Sequence, residues 1–188
     1  MSESAFGLWD YSDAKACQPY GDSVAYELGA EFLKDSTTVE DWGCGYGYFR
    51  EVMGRVAPES SVIVIGIDGS ASRFADIVVD LKDYRSQDAD IFMRGVLEHN
   101  ECWAAILHNA CVSMYRKFVL VLFTPFVPET SPIQDLYKLR DANSKHIGLA
   151  FRKSDITKVL DRYGLHYDCQ TLTTKSEFGV DIIFRVAK

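Results

Sequence analysis

The sequence predicts an α/β fold with a doubly wound, mostly parallel sheet. A short strand at residues 39–41 runs into a glycine-rich turn, a helix and a second strand, which is the order of a βαβ unit with parallel strands. Two runs, at 61–67 and 118–123, are almost wholly apolar. Such runs are typical of parallel strands that helices cover on both faces.

The first predicted element is a helix from about residue 23 to residue 33. Asp22 is the predicted N-cap, because a short acidic side chain can accept a hydrogen bond from the first turn. The predicted inward face consists of Ala25, Leu28, Gly29 and Phe32. The residues before this helix are rich in aromatic side chains, at Phe6, Trp9, Tyr11 and Tyr20.

The strand at 39–41 ends in Asp41, and a glycine-rich turn with Gly43, Gly45 and Gly47 follows at once. Glycine has no Cβ and can take positive φ, so backbone amides in such a turn can close on a ligand. Apolar residues then recur at helical spacing, which predicts a helix directly behind the glycines, at Phe49, Val52, Met53 and Val56. We interpret this unit as a nucleotide-type cofactor site.

The second strand, at 61–67, leads to Asp68, twenty-one residues past Gly47. An acid at this position can accept hydrogen bonds from both hydroxyls of a ribose. The sequence therefore predicts that Asp68 contacts the ribose of the cofactor.

The middle of the chain predicts a crossover helix and a functional insert. The helix follows from the spacing of Trp103, Ile106, Leu107, Ala110 and Met114, and the buried strand at 118–123 comes next. Residues 124–151 then lose all periodicity and contain three prolines. Long irregular stretches beyond the C-terminal end of a parallel strand are usually functional. We interpret residues 124–151 as the substrate-recognition insert.

The last part of the chain predicts a helix and two strands. Ser154 is the predicted N-cap, Gly164 is the predicted C-cap, and the apolar face contains Ile156, Val159, Leu160 and Tyr163. Strands are predicted at 165–173 and 180–186, with a short loop at 174–179. The whole chain, 1–188, is predicted to be one domain.

The spacing of the glycines identifies the cofactor more closely. A dinucleotide-binding fold of the dehydrogenase type requires G-x-G-x-x-G, and Tyr48 stands where the third glycine should be. The pattern Asp41-x-Gly43-x-Gly45-x-Gly47 instead resembles the first motif of class I S-adenosylmethionine (SAM)-dependent methyltransferases, which have a Rossmann-like sheet. The resemblance implies SAM as the cofactor and leaves NAD as the alternative.

The resemblance continues towards the C-terminus. Residues 76–81 look like the third strand with its adenine-binding turn, and 90–99 resemble the fourth strand followed by the V-L-E-H sequence of small-molecule, type 11-like methyltransferases. Only about seven residues, 69–75, separate the second and third strands, too few for a crossover helix. We expect one helical turn or an extended loop there. The C-terminal strand pair, expected to be antiparallel, also agrees with the family.

The resemblance also implies a set of cofactor-binding residues and a lid. The set consists of Asp41, Gly43, Cys44, Gly45, Asp68, Gly69, Asp80, Leu81 and Arg94. In the family, a segment like residues 1–36 often lies over the cofactor. The alternative for these residues is an ordinary helix that packs on the edge of the sheet.

His99 is the predicted catalytic residue. Methyl transfer from a sulfonium mainly requires a well-positioned nucleophile, and a hydroxyl nucleophile also needs a base. His99 follows the fourth strand, and an ordinary histidine pKa near 6.5 suits a base at neutral pH. The alternative is a structural histidine that caps a helix, with Glu98 placed to meet the helix dipole. His146, in the insert, is a further candidate for a substrate contact.

Two departures from related families limit the chemistry. Relatives such as the O-methyltransferases of ubiquinone biosynthesis bind a divalent metal through an acid three residues before the E-H pair, and in this sequence that position is Gly95. We therefore predict no metal. Methyltransferases of DNA amines carry an Asn/Asp-Pro-Pro-Tyr/Phe sequence after the fourth strand, which residues 94–97 do not match. The net charge of −7 also argues against nucleic acid as a substrate.

The composition and the residue pattern restrict the class of protein to which the chain can belong. With 188 residues, 47% of them hydrophobic, the chain should fold as a globular domain. No apolar run reaches the roughly 18 residues of a membrane helix, and the first residues show no secretory signal, so we expect a cytoplasmic location without a membrane anchor. Scattered cysteines predict reduced thiols, at Cys17, Cys44, Cys102, Cys111 and Cys169.

The predicted function is a SAM-dependent methyltransferase that acts on a small molecule or a sugar hydroxyl. Two alternatives belong to other classes. One is a methyltransferase of protein or nucleic acid, which would need a docking surface. The other is a SAM-binding module without catalysis, for which the short connection at 69–75 is the best support. The sequence predicts neither the acceptor nor the oligomeric state.

Overall fold

A computed structural model of the chain describes residues 11, 16–59, 61–133 and 148–188. Its helices there are α1 (Val24–Leu33), α2 (Tyr48–Val56), α3 (Trp103–Ser113) and α4 (Lys153–Arg162), with a short 3₁₀ turn at Leu97–His99. Its strands are β1 (Thr38–Trp42), β2 (Ile63–Asp68), β3 (Ile77–Val78), β4 (Asp90–Arg94), β5 (Lys117–Leu122), β6 (Ser131–Pro132), β7 (Leu149–Ala150), β8 (His166–Thr173) and β9 (Val180–Ala187).

Seven strands of the described residues form the main sheet, in the order β3-β2-β1-β4-β5-β9-β8. The first five are parallel, and β9 runs antiparallel to both β5 and β8. The strand order changes direction at β1, which lies between β2 and β4. Open α/β sheets bind ligands at such a switch point, beyond the carboxyl ends of the strands. The architecture confirms the predicted Rossmann-like, doubly wound sheet with an antiparallel C-terminal pair.

The unit β1–α2–β2 forms where the sequence predicts it. Gly47, with φ of +69°, precedes the first residue of α2 directly. The buried side of α2 consists of Phe49, Val52 and Met53. The ring of Phe49 stacks on Phe92 of β4, with centroids 3.8 Å apart. This stack packs α2 against the middle of the sheet, so the glycine turn is held at the switch point.

The inward face of α1 differs from the prediction. The buried residues are Ala25, Tyr26, Gly29, Ala30 and Leu33, whereas Leu28 and Phe32 are only partly buried. A Cβ on Gly29 would lie 2.6 Å from the ring of Phe92, so the helix turns its smallest residues towards the sheet. The N-cap residue is Ser23, but the Asp22 carboxylate accepts a hydrogen bond from the first helical N–H, at Val24 (3.1 Å).

The third strand is shorter than predicted. Only Ile77 and Val78 pair with β2, and both are exposed at the edge of the sheet. Residues 69–75 form a loop without a helix, as expected. Because β3 pairs only with Ile67 and Asp68, the start of β2 has no neighbouring strand on that side among the described residues, and Ile63 there is 59% exposed. The prediction that β2 is covered on both faces therefore holds only for its C-terminal half, which leads to the switch point.

The N-cap of α4 was predicted wrongly. Ser154 lies inside the first turn, its hydroxyl accepts a hydrogen bond from Arg152 Nε (2.6 Å), and Arg152 itself is the N-cap residue. The helix starts two residues earlier than predicted, and its start is held by Thr130, whose hydroxyl donates to the Asp155 carboxylate (2.8 Å) and accepts the Arg152 N–H (2.9 Å). Gly164 has φ of +63°, as a C-cap glycine should.

The predicted insert, 124–151, is only partly described. Its two ends pair as β6 and β7, with Ser131 opposite Ala150 and Pro132 opposite Leu149. Residues 134–147, which include His146, lie outside the described residues, so the predicted substrate contact of His146 stays a prediction. The end of the insert is buried at Leu149, Ala150 and Phe151 and forms part of the core.

Two further features concern the class of protein. Among the helices that the structure describes, none is both long enough and apolar enough to span a membrane. The five cysteines are free thiols in the structure.

Candidate active site

A cavity of about 390 Å³ lies beyond the C-terminal ends of the parallel strands. Small-molecule sites usually measure roughly 300–1,000 Å³. Four parts of the chain line this cavity: the glycine turn, the segments at the ends of β2, β3, β4 and β5, the N-terminal segment (residue 11 and residues 16–23), and the β8–β9 loop (174–179). The sheet topology therefore brings distant parts of the sequence to one place.

The glycine turn approaches the cavity through Gly43. Its φ is +77°, and a Cβ there would lie 2.3 Å from a methyl group of Val96, so only glycine fits without movement. The N–H groups of Gly43 and Cys44 donate to the carbonyl of Ile67 (2.7 and 3.1 Å), which ties the turn to β2. This close packing leaves the backbone of Gly43 bare at the cavity wall.

Asp68, the last residue of β2, lines the cavity. One of its oxygens accepts the N–H of Gly45 and the other accepts the N–H of Ser70, both at 2.9 Å. Burial raises the pKa of this carboxyl, and the hydrogen bonds from the backbone oppose the shift. The two amides hold the carboxylate in a fixed orientation, so it is a well-placed acceptor for hydroxyl groups of a ligand.

Asp80 and Leu81 also line the cavity, as the predicted adenine side requires. Asp80 pairs with Lys82 (2.8 Å), and Leu81 is buried. The side-chain amide of Asn109, on α3, donates to the carbonyls of Leu81 (3.0 Å) and Lys82 (2.8 Å). This anchor fixes the loop although β3 is only two residues long.

Three predicted cofactor residues lie behind the wall of the cavity. Asp41, Cys44 and Gly45 are not among the residues that line it, whereas Gly69 is. Burial, reinforced by the charge of Asp68, raises the pKa of Asp41 to about 8. Cys44 contacts the carbonyl of Phe74 (3.6 Å). Asp41 belongs to β1, and Cys44 and Gly45 belong to the glycine turn, next to Gly43, which does line the cavity.

Arg94 is buried at the end of β4 and lines the cavity. Its guanidinium donates to the Tyr20 carbonyl (2.8 Å) and to the Asp181 carboxylate (3.2 and 3.3 Å). It also lies over the ring of Tyr26, 5.1 Å from the centroid. Arg94 thus joins β4, β9 and the N-terminal segment, a contact that its place in the sequence did not indicate.

His99 lines the cavity from the 3₁₀ turn after β4. The neighbouring Glu98 points the other way and is fully buried. One Glu98 oxygen accepts the N–H of Phe123 (2.6 Å), and burial raises the pKa of Glu98 to about 8. The alternative in which Glu98 meets the dipole of the following helix does not hold, because α3 begins only at Trp103. The turn is closed by Asn100, whose side chain donates to Val96 (2.6 Å).

Sequence reasoning missed a substantial part of the cavity wall. The missed residues include Asn100, Phe123, Lys175, Ser176 and Glu177. The β8–β9 loop carried no signal, because it looks like any short hairpin connection. It meets the N-terminal segment directly, since the Lys175 N–H donates to the Asp22 carboxylate (2.8 Å). By contrast, none of the described residues of the insert 124–151 lines the cavity.

Within residues 11, 16–59, 61–133 and 148–188, no group of three or more histidine, cysteine or acidic side chains could hold a metal ion. Gly95, with φ of +65°, lines the cavity and offers no side chain to a ligand.

Comparison with known sequences yields no match to a protein-family model or to a curated protein. Solved structures match over most of the chain. One is the magnesium protoporphyrin IX methyltransferase of Synechocystis PCC 6803 with bound S-adenosylhomocysteine (SAH), which has 21% identity and a TM-score of 0.58. The match covers 89% of this chain and 81% of that one.

Two further structures agree. The 1,6-didemethyltoxoflavin N1-methyltransferase of Burkholderia thailandensis has 12% identity and a TM-score of 0.61, covering 88% of this chain and 78% of that one. A SAM-dependent methyltransferase of Mesorhizobium loti has 13% identity and a TM-score of 0.58, covering 88% and 99%. Identities this low show the fold alone. The chain has the fold of the class I SAM-dependent methyltransferases.

Proposed function

We propose that the chain is a SAM-dependent methyltransferase that acts on a hydroxyl of a small molecule. The observation that carries the proposal is the composition of one cavity at the switch point of the sheet. It contains a bare glycine backbone at Gly43, an oriented carboxylate at Asp68 and an imidazole at His99. The similarity to structures that hold SAM or SAH adds support to this choice of cofactor.

The cavity fits the cofactor at several points. Gly43 brings a backbone without a side chain to the cavity wall, and only glycine fits there because a Cβ would collide with Val96. Asp68 can accept hydrogen bonds from two ribose hydroxyls. Asp80 and Leu81 bound the side where an adenine would lie. Bound SAM would supply a methyl group that is already activated as a sulfonium.

The protein's own contribution is to position the acceptor and to remove a proton. His99 is the proposed base, because it is the imidazole that lines the cavity and its ring lies beside Phe123, with centroids 5.4 Å apart. A positioned acid–base group typically contributes about 10²–10⁴-fold to the rate. The binding-module alternative differs here, because in a module without catalysis His99 would only support the turn after β4.

A titration of the full chain with three compounds tests the choice of cofactor. Calorimetry should show binding of SAM and SAH and no binding of NAD. The reason is that Tyr48 replaces the third glycine that dinucleotide folds use for close packing of helix and strand. Binding of NAD with no binding of SAM or SAH would reverse the proposal.

A further inference from the structure

The wall of the cavity divides into a cofactor half and an acceptor half, an inference that rests on the proposed function. Gly43, Asp68 and Asp80 belong to the half where the cofactor would lie. The other half is formed by the β8–β9 loop and the side chains that follow β4 and β5. The N-terminal segment borders both halves, because its Tyr20 hydroxyl also approaches Gly45 of the glycine turn. Because an acceptor must lie next to the methyl group, its chemistry should be readable from this second half.

The residues after β4 and β5 present an aromatic wall. The rings of His99 and Phe123 lie 5.4 Å apart with an interplanar angle of 33°, and those of Phe123 and Phe178 lie 6.1 Å apart at 28°. Phe123 reaches the cavity although it is 9% exposed. Gly95 lies against it, since a Cβ there would be 3.4 Å from the Phe123 ring. The absence of a side chain at Gly95 keeps this part of the wall uncovered.

The N-terminal segment adds a second aromatic group. The hydroxyls of Tyr11 and Tyr20 are joined by a hydrogen bond (2.7 Å), and the ring of Tyr46 packs against both, with centroids 5.0 and 5.6 Å away. Tyr11 and Tyr20 line the cavity. Burial raises the pKa of both hydroxyls far above 10, so they stay neutral. They offer apolar ring surface and neutral hydrogen-bonding groups to a ligand.

The buried charge in the acceptor half is already neutralised. Arg94 is bound to the Asp181 carboxylate and to the Tyr20 carbonyl. Its charge is therefore balanced within the protein by Asp181, which makes it a poor partner for an anionic acceptor such as a sugar phosphate, although its Nε has no hydrogen-bond partner among the described residues. A neutral saccharide would fit less well, because its many hydroxyls need polar partners, which the β8–β9 loop offers at Lys175, Ser176 and Glu177 but the aromatic wall does not.

We propose that the acceptor is a planar aromatic compound whose ring packs against Phe123 and whose phenolic hydroxyl lies beside His99. As the acceptor oxygen forms its bond to the methyl carbon, the bond from that carbon to sulfur breaks and its electron pair stays on sulfur, which yields SAH. The hydroxyl proton passes to the His99 imidazole and then to solvent. The product is an aryl methyl ether.

Matched pairs of compounds test this proposal on the SAH-loaded full chain. Each pair contains a hydroxylated one- or two-ring aromatic compound, such as phenol or 1-naphthol, and its fully saturated counterpart, such as cyclohexanol or decahydro-1-naphthol. Methyl glucoside represents the saccharides. In calorimetry, we expect the aromatic member to bind the SAH-loaded chain more tightly than its saturated counterpart. In a separate assay, in which the chain is supplied with SAM, we expect the aromatic member to be the one that supports SAH formation.

The possible failures are distinguishable. If neither SAM nor SAH binds the chain, the proposed function fails. If SAH binds but no aromatic compound binds more tightly than its saturated counterpart, the acceptor proposal is overturned while the cofactor proposal stands. Selective binding of methyl glucoside would likewise overturn the acceptor proposal and leave the cofactor proposal standing.

A pair of variants links the preference to the wall. Phe123→Leu keeps an apolar side chain and removes the ring, so it should weaken binding of the aromatic compound about 2–10-fold, the usual worth of an aromatic pair. Affinity for SAH and for the saturated compound should stay within twofold. Phe126→Leu is the matched control, because Phe126 packs on Phe184 and does not line the cavity. Equal loss of aromatic and saturated ligands in Phe123→Leu would contradict the proposal.

Discussion

The buried carboxylate of Glu98 accepts a 2.6 Å hydrogen bond from the backbone N–H of Phe123. This bond connects the turn after β4 to the end of β5, and the two residues that border the acceptor half, His99 and Phe123, lie on either side of it. The second oxygen of Glu98 has no hydrogen-bond partner in the part of the chain that the structure describes. Glu98 is fully buried and does not line the cavity, so it supports the cavity wall from behind. Because burial raises the pKa of Glu98, its charge changes within the ordinary pH range.

Stability should depend on pH through Glu98. Burial raises its pKa to about 8, above the ordinary value of 4.5. Between these two values the folded chain holds a proton that the unfolded chain has lost, so the free energy of unfolding should fall as pH rises from about 5 to 8. In Glu98→Gln this fall should be smaller, measured by urea unfolding at pH 5 and pH 8.

A remaining slope is expected in that variant, because burial also raises the pKa of Asp41 to about 8. Glu59→Gln, at an exposed position, is the matched control and should keep the full slope. An unchanged slope in Glu98→Gln would show that Glu98 is ionised in the folded protein at neutral pH.

Loss of the Asp68 charge should weaken cofactor binding. Asp68→Asn can still accept a hydrogen bond from a backbone amide, so the fold should survive, but its charge-assisted bonds to the ribose hydroxyls are lost. Hydrogen bonds to a charged group contribute about 1.5–3 kcal/mol, so we expect the Kd for SAH to rise about 10–100-fold. Asp83→Asn, at an exposed position outside the cavity wall, should bind SAH like the unmodified chain. Equal affinity in the two variants would remove Asp68 from the site.

His99→Asn should separate catalysis from binding. If His99 is the base, turnover should fall about 10²–10⁴-fold at saturating cofactor and acceptor, with the Kd for SAH nearly unchanged. His108→Asn is the matched control, because His108 contacts Tyr163 and does not line the cavity. Turnover of His99→Asn within a few-fold of the unmodified chain, together with a lower Tm, would assign His99 a structural role.

Turnover should also survive a chelator. Gly95, which lines the cavity, offers no side chain to a metal, and the described residues contain no group of three or more histidine, cysteine or acidic side chains that could hold one. SAH formation in EDTA should match that in added magnesium. Loss of turnover in EDTA that magnesium restores would show that an ion takes part.

The parts of the site that the sequence predicted are those that local chemistry determines. Gly43 and Asp68 follow from the backbone freedom of glycine and from an acid at the end of a buried strand. Their neighbours along the chain determine their place, so a pattern of a few residues was enough. The same holds for α2, whose apolar spacing matches its buried face.

The parts that were missed depend on contacts between distant segments. The β8–β9 loop reaches the cavity only because β9 inserts between β5 and β8, and nothing in the loop sequence reports that order. Burial of Glu98 follows likewise from its bond to Phe123, twenty-five residues away. The inward face of α1 was displaced because Phe92 needs the space above Gly29. Periodicity along one helix cannot report such a partner.

Transfer of an isotope-labelled methyl group is the most direct test of whether the chain methylates a hydroxyl with SAM. The full chain is incubated with SAM that carries a trideuterated methyl group and with the panel of hydroxylated aromatic compounds, and products are identified by mass spectrometry. We expect SAH to form only when an acceptor is present and the labelled methyl group to appear on the acceptor oxygen. Tight binding of SAM without SAH formation above the rate without protein, for every acceptor tested, would indicate a SAM-binding module and would rule out the proposed methyl transfer.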